Sequence, residues 1–339
     1  MTARFAHPDI LSPSPHHLHQ VPVLVLMPHS KCNCRCLMCD IWKGNKSGTS
    51  LSLAQLQRIE ADLRAFGVKH VVLSGGEALM HPDIWSLCAL LKSLPARVTL
   101  LSTGQTLAHH VETVSVLCDE VIVSLDGSPA MHDVVRGIPG AFEKLQDGIV
   151  ALRRHRPDFP IAARCVLQKC NFRDLTAIVT AARSLNLDRI SFLAADLSTT
   201  AFNRPNGWDD KHTDAVCLSV EESLEFADII EQLIADNADD FATGFITERP
   251  ERLRGLAHYY QAVHGLRSFP PIRCKAPWVS TVIEADGTVR PCFFHPALGN
   301  VNDRPLNTIL NSDEAIAFRE TLDVRSNPIC QRCVCTFNM

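Results

Sequence analysis

Six short apolar runs alternate with amphipathic helical segments between residues 21 and 196, and this alternation limits the fold more than any other feature. The runs are rich in β-branched residues and almost continuously apolar, as strands buried on both faces are. They cover residues 21–27, 70–73, 97–102, 120–125, 161–167 and 189–193. Repeated strand–helix units predict a parallel sheet with right-handed crossovers. Six units are fewer than the eight of a closed barrel, so we expect an α/β fold with a curved, partly open barrel.

Two helices have clear start signals. Ser52 and Gln55 fit a capping box before the first helix. Residues 219–237 predict a long helix, and Ser219 and Glu222 fit a capping box at its start.

Composition limits the classes of function. The 339 residues carry 33 Lys and Arg against 37 Asp and Glu, a formal net charge of -4, which gives no support for a nucleic-acid partner. No run approaches 18 consecutive apolar residues, and the N-terminus lacks the apolar region of a secretory signal. We therefore expect a cytoplasmic protein with no membrane partner. Its 14 Cys residues are then reduced thiols that act as metal ligands, reactive groups or small core residues.

Four parts follow along the chain. They are a flexible N-terminal arm (1–20), the partial barrel (21–196), a linker and helical segment (197–269) and a cysteine-rich C-terminal domain (270–339). Residues 197–220 are polar with scattered breakers, which predicts a loop or linker. Asp286 and Gly287 stand between two β-rich runs and predict a hairpin in the last part.

Four Cys residues fall within eight positions directly after the first predicted strand. Cys32, Cys36 and Cys39 are spaced C-x3-C-x2-C, and a loop at the carboxyl end of a barrel strand can place three thiolates around one metal centre. Three thiolates leave one iron of a four-iron cluster open, and open positions are where substrates bind. A zinc knot is the alternative, although zinc prefers paired C-x2-C spacings. Cys34 does not fit the spacing of the motif.

At these residues the chain resembles the radical S-adenosylmethionine (SAM) superfamily, whose signature is C-x3-C-x2-C after strand one. The resemblance implies a partial (βα)6 TIM-like barrel and a [4Fe–4S] cluster whose unique iron is chelated by the amino and carboxylate groups of SAM. One electron from the cluster then cleaves SAM to methionine and a 5′-deoxyadenosyl radical, which abstracts hydrogen from a substrate. The residue before the third Cys packs near adenine in the family. Here it is Met38, whose thioether can make similar contacts with a ring.

The segment Gly75-Gly76-Glu77 directly follows the second strand. Two glycines allow the backbone to approach a ligand closely, which a side chain would block. Gly pairs end many strands, but this pair follows a cysteine loop at strand one. The resemblance implies that the segment holds the amino group of SAM, with Glu77 supplying charge.

Polar residues also end the fourth strand and lie on the fifth. Ser124 and Asp126 are two positions apart, so we expect both at the barrel mouth, where they suit hydroxyl or ribose contacts. A turn at Asp126 is the alternative. By the same resemblance Arg136 closes over the site or anchors a loop. Arg164 meets the SAM carboxylate or forms an ordinary ion pair.

A second set of Cys residues lies near the C-terminus. Cys274, Cys292, Cys330 and Cys333 can close a site completely around structural zinc or a [4Fe–4S] cluster, and spacing alone does not decide between them. The C-x12-G-x4-C step and the terminal C-x2-C resemble the twitch domain, a shorter relative of the SPASM extension of radical SAM enzymes. This implies a small β-hairpin domain with one auxiliary [4Fe–4S] cluster bound by these four residues. Cys335 is then a spare thiol or an alternative ligand.

Together the resemblances imply a radical SAM oxidoreductase with an auxiliary cluster. We expect it to abstract hydrogen from a small polar substrate in a biosynthetic pathway, leading to dehydrogenation, epimerisation or rearrangement. A flavodoxin- or ferredoxin-type protein is the expected electron donor. The alternative is a maturase that modifies a ribosomally synthesised peptide. Against it, the chain has no spare N-terminal domain for a leader peptide, although a partner protein can supply one.

The third class of function is a non-enzymatic iron–sulfur or zinc-binding module, which would coordinate its metal fully and cleave no SAM. The sequence assigns no catalytic side chain. One hypothesis concerns Cys165, which lies within the fifth strand. If its thiol faces the barrel interior, it can donate a hydrogen atom to a substrate radical, as an epimerase requires.

Overall fold

A computed structural model of the chain describes residues 15–335. Within this range, nine strands form one sheet. Their bounds are β1 Val23–Leu26, β2 His70–Leu73, β3 Arg97–Ser102, β4 Glu120–Ser124, β5 Ile161–Leu167, β6 Arg189–Ala194, β7 Ser280–Ile283, β8 Thr288–Arg290 and β9 Gly299–Asn300. The spatial order is β6-β5-β4-β3-β2-β1-β7-β8-β9. All pairs from β6 to β7 are parallel, and the last two pairs are antiparallel.

Helices connect the parallel strands. In chain order they are α1 Leu53–Ala65, α2 Ile84–Lys92, α3 Val111–Leu117, α4 Pro129–Arg136, α5 Ala141–His155, α6 Leu175–Ser184, α7 Asp210–Val216, α8 Val220–Asp236, α9 Ala238–Thr243, α10 Pro250–Val263, α11 Ala276–Val279, α12 Leu306–Leu310, α13 Asp313–Thr321 and α14 Pro328–Gln331. Short 3-10 helices cover Ile41–Ser47, Ala78–Met80, Leu107–His109 and Phe172–Asp174. Each helix among residues 15–335 is too short or too polar to cross a bilayer.

Residues that are paired across neighbouring strands form rows, and successive rows point to opposite faces of the sheet. One row, with Leu100, Val121 and Ile161, is fully buried in the main apolar core. The row on the other face that holds Ser124, Arg164 and Ser191 is only half-buried. Because β1 to β6 are parallel, the loops that follow them gather at one mouth. The predicted α/β partial barrel is confirmed.

Local signals were reliable. Strands β2, β3 and β5 have the predicted bounds. Both capping boxes are present, with Ser52 and Gln55 at α1 and Ser219 and Glu222 at α8. The predicted hairpin joins β7 to β8, and Gly287 turns it with a φ of 89°. These features depend on residues close in sequence, which explains why the sequence was sufficient.

Two long-range features differ from the expectation. The C-terminal hairpin does not stand apart from the barrel, because β7 pairs in parallel with β1 and extends the same sheet. The predicted linker over residues 197–220 contains helix α7, capped by Asp209, whose side chain accepts a 2.8 Å bond from the amide of His212. Only Val216 of that helix is buried, so the sequence shows no apolar period there.

The flexible arm was predicted over residues 1–20, of which 1–14 lie outside the described residues. Leu18 is buried in the main core, and its amide and carbonyl bond to the side chain of Asn311 at 2.7 and 3.0 Å. Arg319 donates to the carbonyl of His16 at 2.7 Å. The described end of the arm is therefore fixed to the C-terminal helices and is not loose.

Candidate functional site

The four early Cys residues lie together in the loop after β1. Cys34 and Cys36 are buried, Cys32 and Cys39 are half-buried, and all four belong to one apolar cluster with Met38. The sequence therefore placed the three predicted ligands and Met38 correctly next to one another. Cys34 lies between its neighbours and exchanges thiol hydrogen bonds with Cys32 and Cys36.

Helix α4 holds one side of this loop through its last carbonyls. The amide of Arg35 donates to the carbonyl of Arg136 at 2.8 Å, and the amide of Leu37 donates to that of Val135 at 3.1 Å. Gly137 follows the helix with a φ of 67°, and a Cβ there would lie 2.4 Å from the carbonyl oxygen of Arg35. Only glycine allows this approach.

Arg136 also contacts a predicted ligand directly. Its Nη1 donates to Sγ of Cys36 at 3.5 Å. The hydrogen bond from Cys34, assisted by the positive charge of Arg136, lowers the pKa of Cys36 to about 6 although burial opposes this. Burial raises the pKa of Cys39 to about 12. A thiolate is the form that binds metals, so the surroundings of Cys36 favour ligation.

Asp126 is not free to bind a ligand. Its carboxylate forms an ion pair with Arg136 and accepts a 2.9 Å bond from the amide of Val166. The residue is fully buried. Its backbone amide donates to Nδ1 of His132 at 3.2 Å, and burial, with the charge of Arg136, lowers the pKa of that imidazole to about 3. The predicted ribose contact at Asp126 is thus replaced by a contact inside the protein, whereas Ser124 stays on the inner face.

The two glycines after β2 serve the cysteine loop. A Cβ on Gly76 would lie 2.1 Å from the carbonyl oxygen of Lys31. The amide of Gly76 donates to the carbonyl of His29 at 3.1 Å, and the amide of Glu77 donates to that of Lys31 at 2.8 Å. Gly75 has a φ of 107°. The close approach that we expected toward a ligand is made toward the protein's own backbone.

The carboxylate of Glu77 is fully buried and held by three donors. Ser102 Oγ donates at 3.0 Å, the amide of Thr103 at 2.6 Å and the amide of Leu79 at 3.2 Å. Burial raises the pKa of Glu77. Thr103 Oγ1 in turn donates to Asn33 of the cysteine loop at 3.0 Å. Glu77 therefore links the ends of β2 and β3 beneath the loop.

Arg164 lies on the inner face of β5, level with Ser124 and Ser191. Nε donates to Ser191 Oγ at 3.4 Å. A guanidinium has five N–H donors, so among residues 15–335 most of these are left for a ligand. Cys165 points the other way, into the fully buried main core. The hypothesis that its thiol faces the barrel interior is wrong, because alternation along β5 turns Arg164 and Val166 inward.

Residues 196–208 hold the opposite side of the cysteine loop, which the sequence analysis missed. Arg204 pairs with Asp196 at 3.1 Å, donates to the carbonyl of Met38 at 2.5 Å and stacks 3.6 Å from the ring centre of Trp208. Trp208 Nε1 donates to Asp40 at 2.9 Å. The segment has no apolar period, so only the chemistry of a buried Arg near a Trp could have identified it.

Within residues 15–335, several polar atoms around the cysteine loop are buried without a hydrogen-bond partner. They include Asn33 Nδ2, Arg136 Nε, Gln168 Oε1 and Arg204 Nε. Gln168 follows β5 and donates its Nε2 to Sδ of Met38 at 3.5 Å. Buried polar atoms are normally paired, so these atoms fit a polar ligand at the loop. Among residues 15–335, no three His, Cys, Asp or Glu side chains stand in the arrangement of a metal site.

The second set of Cys residues surrounds a cavity of about 110 Å³. The structure brings all four predicted ligands to it, together with Cys335, which lies on the exposed side; the four are Cys274, Cys292, Cys330 and Cys333. Nε2 of His295 lies 3.3 Å from Sγ of Cys330. Burial raises the pKa of Cys330 to about 12, and burial lowers the pKa of His295.

A larger cavity of about 500 Å³ lies at the mouth, beside the loop after β1. Its walls include Met27, Gly76, Arg204 and Glu284. The side chains of residues 293 and 294, both Phe, border this cavity and also the smaller one with the thiols. A molecule bound here would therefore lie beside the loop after β1 and against the two Phe residues that also border the second set of Cys residues.

Comparison with known proteins agrees with this arrangement. The sequence profile of the radical SAM superfamily matches residues 26–176, which include the first cysteine loop. The profile of SPASM, an iron–sulfur cluster-binding domain, matches residues 274–334, which include Cys274, Cys292, Cys330 and Cys333. The two matched domains imply [4Fe–4S] clusters.

Related proteins act on different substrates. The chain is 27% identical to the Fe-coproporphyrin III synthase of Methanosarcina barkeri (strain Fusaro / DSM 804) over 94% of this chain and 83% of that protein. It is 24% identical to the PqqA peptide cyclase of Rhodopseudomonas palustris (strain ATCC BAA-98 / CGA009) over 80% of this chain and 67% of that protein. SuiB of Streptococcus suis, solved with its precursor peptide SuiA, superposes with a TM-score of 0.62 at 15% identity, covering 94% of this chain and 72% of SuiB. That similarity shows the fold.

Proposed function

We propose that this chain modifies a peptide substrate with the chemistry of SAM. The chain belongs to the radical SAM superfamily and carries a C-terminal SPASM domain, so it is an enzyme. The cavity of about 500 Å³ beside the loop after β1 carries this proposal. Among the sequence expectations, the peptide maturase is better supported than an enzyme for a small polar substrate, because relatives include a peptide cyclase.

The first cofactor site would combine the cysteine loop with side chains from the inner face of the barrel. Cys32, Cys36 and Cys39 would hold a [4Fe–4S] cluster that supplies, with SAM, the abstraction of a hydrogen atom. Arg164 would bind the SAM carboxylate, because its donors are open and it lies on the inner face of β5. Met38 would contact adenine, with the free acceptor of Gln168 beside it.

The second site would hold the auxiliary [4Fe–4S] cluster through Cys274, Cys292, Cys330 and Cys333. Four thiolates close such a cluster, which suits electron transfer and leaves no open iron. Its role would be to accept the second electron when a substrate is oxidised. A flavodoxin- or ferredoxin-type protein would supply the first electron.

The charges of the larger cavity favour a peptide over a polyanion. Its two Arg residues are already neutralised, Arg204 by Asp196 at 3.1 Å and Arg290 by Glu284 at 2.7 Å. Burial lowers the pKa of His29, which disfavours a positive charge on its imidazole. The polar part of the remaining wall is rich in hydroxyl and amide groups; they belong to Ser30, Ser47, Thr49, Thr200 and Asn203. Neutral donors and acceptors suit a peptide backbone.

A tetrapyrrole is the second candidate substrate. The Fe-coproporphyrin III synthase is similar to this chain over 94% of its length. The cavity also contains an aromatic group in which the ring centres of Phe202 and Phe293 are 4.8 Å apart. Flat macrocycles pack well on such rings. However, a substrate with several carboxylates would need unpaired cations, and the two Arg residues of the cavity are both paired.

Deuterium transfer distinguishes these substrates. The reconstituted enzyme would be incubated with dithionite, SAM and one deuterated probe at a time: a precursor peptide encoded beside the gene, a carboxylated tetrapyrrole macrocycle that is a precursor of Fe-coproporphyrin III, or a cyclitol as an example of the small polar substrate. We expect deuterium in 5′-deoxyadenosine only with the peptide. Transfer from the macrocycle or the cyclitol, and none from the peptide, would contradict the proposal. A matched variant, Glu284→Gln, leaves Arg290 unpaired and should strengthen binding of the macrocycle while leaving the peptide KM nearly unchanged.

A further inference from the structure

Beyond the substrate, one ion pair near the first cysteine loop has a geometry that the proposed function does not explain. Asp126 and Arg136 form this pair, and their side chains are only 0% and 7% exposed. Burying two opposite charges removes both from water, and such pairs often contribute little to stability. Such a pair can instead hold one of its charges in a fixed direction toward a neighbouring group. Here that neighbour is the sulfur atom of Cys36.

The guanidinium of Arg136 has two contacts with different chemistry. Nη2 pairs with the carboxylate of Asp126, and Nη1 donates to Sγ of Cys36 at 3.5 Å. Because a guanidinium is planar, pairing at one nitrogen fixes the direction of the other. Asp126 is itself fixed by the amide of Val166 at 2.9 Å. The carboxylate therefore aims the cation at the sulfur.

Backbone hydrogen bonds also hold the contact between Arg136 and Cys36 in place. The carbonyls of Val135 and Arg136 accept bonds from the amides of Leu37 and Arg35, which lie on either side of Cys36. The end of α4 and the cysteine loop thus form one unit, with the guanidinium inside it. The second set of Cys residues differs, because the nitrogen near Cys330 belongs to His295, which carries no fixed charge.

We propose that Asp126 and Arg136 act as positioning residues that set the reduction potential of the cluster held by Cys32, Cys36 and Cys39. A [4Fe–4S] cluster with three thiolates becomes more negative by one charge when it is reduced. A cation and a hydrogen bond at a ligand sulfur stabilise the reduced form more than the oxidised form, which raises the potential. Arg136 provides both, so it eases delivery of the electron on which SAM cleavage depends. The inference rests on the proposed ligands of the first cluster.

The test is a redox titration of the reconstituted enzyme, followed by electron paramagnetic resonance (EPR) on the signal that SAM perturbs. Arg136→Gln keeps polar groups but removes the charge, and we expect the ratio of reduced to oxidised cluster at a fixed potential to fall about tenfold, which is 59 mV for a one-electron couple. Arg136→Lys keeps the charge, so the reduction potential of its first cluster should fall less. Asp126→Asn removes a nearby negative charge, which raises the potential, and frees Arg136 from its orientation, which lowers it, so we expect a smaller shift than in Arg136→Gln.

Arg97→Gln is the matched control. It breaks a partly buried ion pair with Glu120, at 2.8 Å, at the opposite end of the strands. The reduction potential of the first cluster in Arg97→Gln should equal that in the parent enzyme. Equal potentials in Arg136→Gln and the parent would overturn the proposal. If Arg136→Gln fails to hold the first cluster, retention by Arg136→Lys supports the proposal, and loss in both Arg136 variants overturns it.

Failure of the ligand assignment gives a different result. If a variant with Ala at positions 32, 36 and 39 still shows the EPR signal that SAM perturbs, the ligands themselves are wrong. If that variant loses the signal while Arg136→Gln and the parent have equal reduction potentials, only the role of Arg136 is wrong.

Discussion

The two sets of Cys residues are assembled in different ways. The first occupies eight positions of a single loop, so the ligands are close before the rest of the barrel folds. The second draws on residues from 274 to 335, and its members meet only when the hairpin and the last helices have packed. Closing a longer loop costs more entropy. We therefore expect the first set to be robust and the second to depend on the fold around it.

The groups next to the sulfur atoms differ as well. Cys36 faces the permanent charge of Arg136 at 3.5 Å, whereas Cys330 faces the imidazole of His295 at 3.3 Å, whose pKa burial lowers. A charged donor stabilises an anionic cluster more than a neutral one does. This difference fits the proposal that the first cluster would be reduced for SAM cleavage and the second would exchange electrons with the substrate.

The largest expected effect separates two neighbours in the first loop. Cys36→Ala should lower the yield of 5′-deoxyadenosine at least a hundredfold, because a cluster ligand is lost, while the second cluster stays in place. Cys34→Ala is its control, since both thiols are buried but only Cys36 fits the motif. Equal yields from the two variants would show that the spacing was misread.

The second prediction concerns the longer-range set. Cys292→Ala should remove about four iron atoms per chain and retain part of the SAM cleavage, as measured by iron analysis and by 5′-deoxyadenosine. Cys335→Ala should keep all iron, because Cys335 is exposed and lies outside the predicted ligands. Iron loss in Cys335→Ala, with none in Cys292→Ala, would show that Cys335 is a ligand of the auxiliary cluster and Cys292 is not.

The third prediction tests how the first loop is supported. Gly76→Ala places a Cβ that would lie 2.1 Å from the carbonyl oxygen of Lys31, so the loop must move. We expect a loss of about 1–3 kcal/mol in the free energy of unfolding and weaker SAM cleavage. In Gly255→Ala of α10 the new Cβ has no neighbour within 4 Å, and the change should stabilise the protein by up to about 1 kcal/mol. Chemical denaturation of both variants provides the measurement.

The smallest effect belongs to the neutral neighbour of the second set. His295→Gln keeps a neutral polar side chain beside Cys330 and should shift the potential of the auxiliary cluster by less than about 59 mV, the tenfold unit for a one-electron couple. His295→Ala removes that polar side chain and should shift the potential further. A change in His295→Gln as large as that in Arg136→Gln would remove the distinction between the two sites.

The sequence was most informative where the determinants are local. The capping boxes at Ser52 and Ser219 and the C-x3-C-x2-C loop need only neighbours within a few positions. Strands β2, β3 and β5 were also correctly bounded, since buried parallel strands show as continuous apolar runs.

Features that depend on register or on distant partners were not accessible. Whether Cys165 faces inward was an open hypothesis, because its direction follows from the phase of β5, which the sequence does not reveal. Asp126 was expected to be free, and its partner Arg136 lies ten positions away on another element. The contact of Arg204 with Met38 joins residues far apart in the chain, in a segment without an apolar pattern.

The most direct test of the account is iron analysis of a variant in which Cys32, Cys36 and Cys39 are all replaced by Ala, combined with an assay for 5′-deoxyadenosine. The account predicts about eight iron atoms in the parent and about four in the variant, with SAM cleavage lost. A variant that retains all its iron, or that still makes 5′-deoxyadenosine, would contradict it.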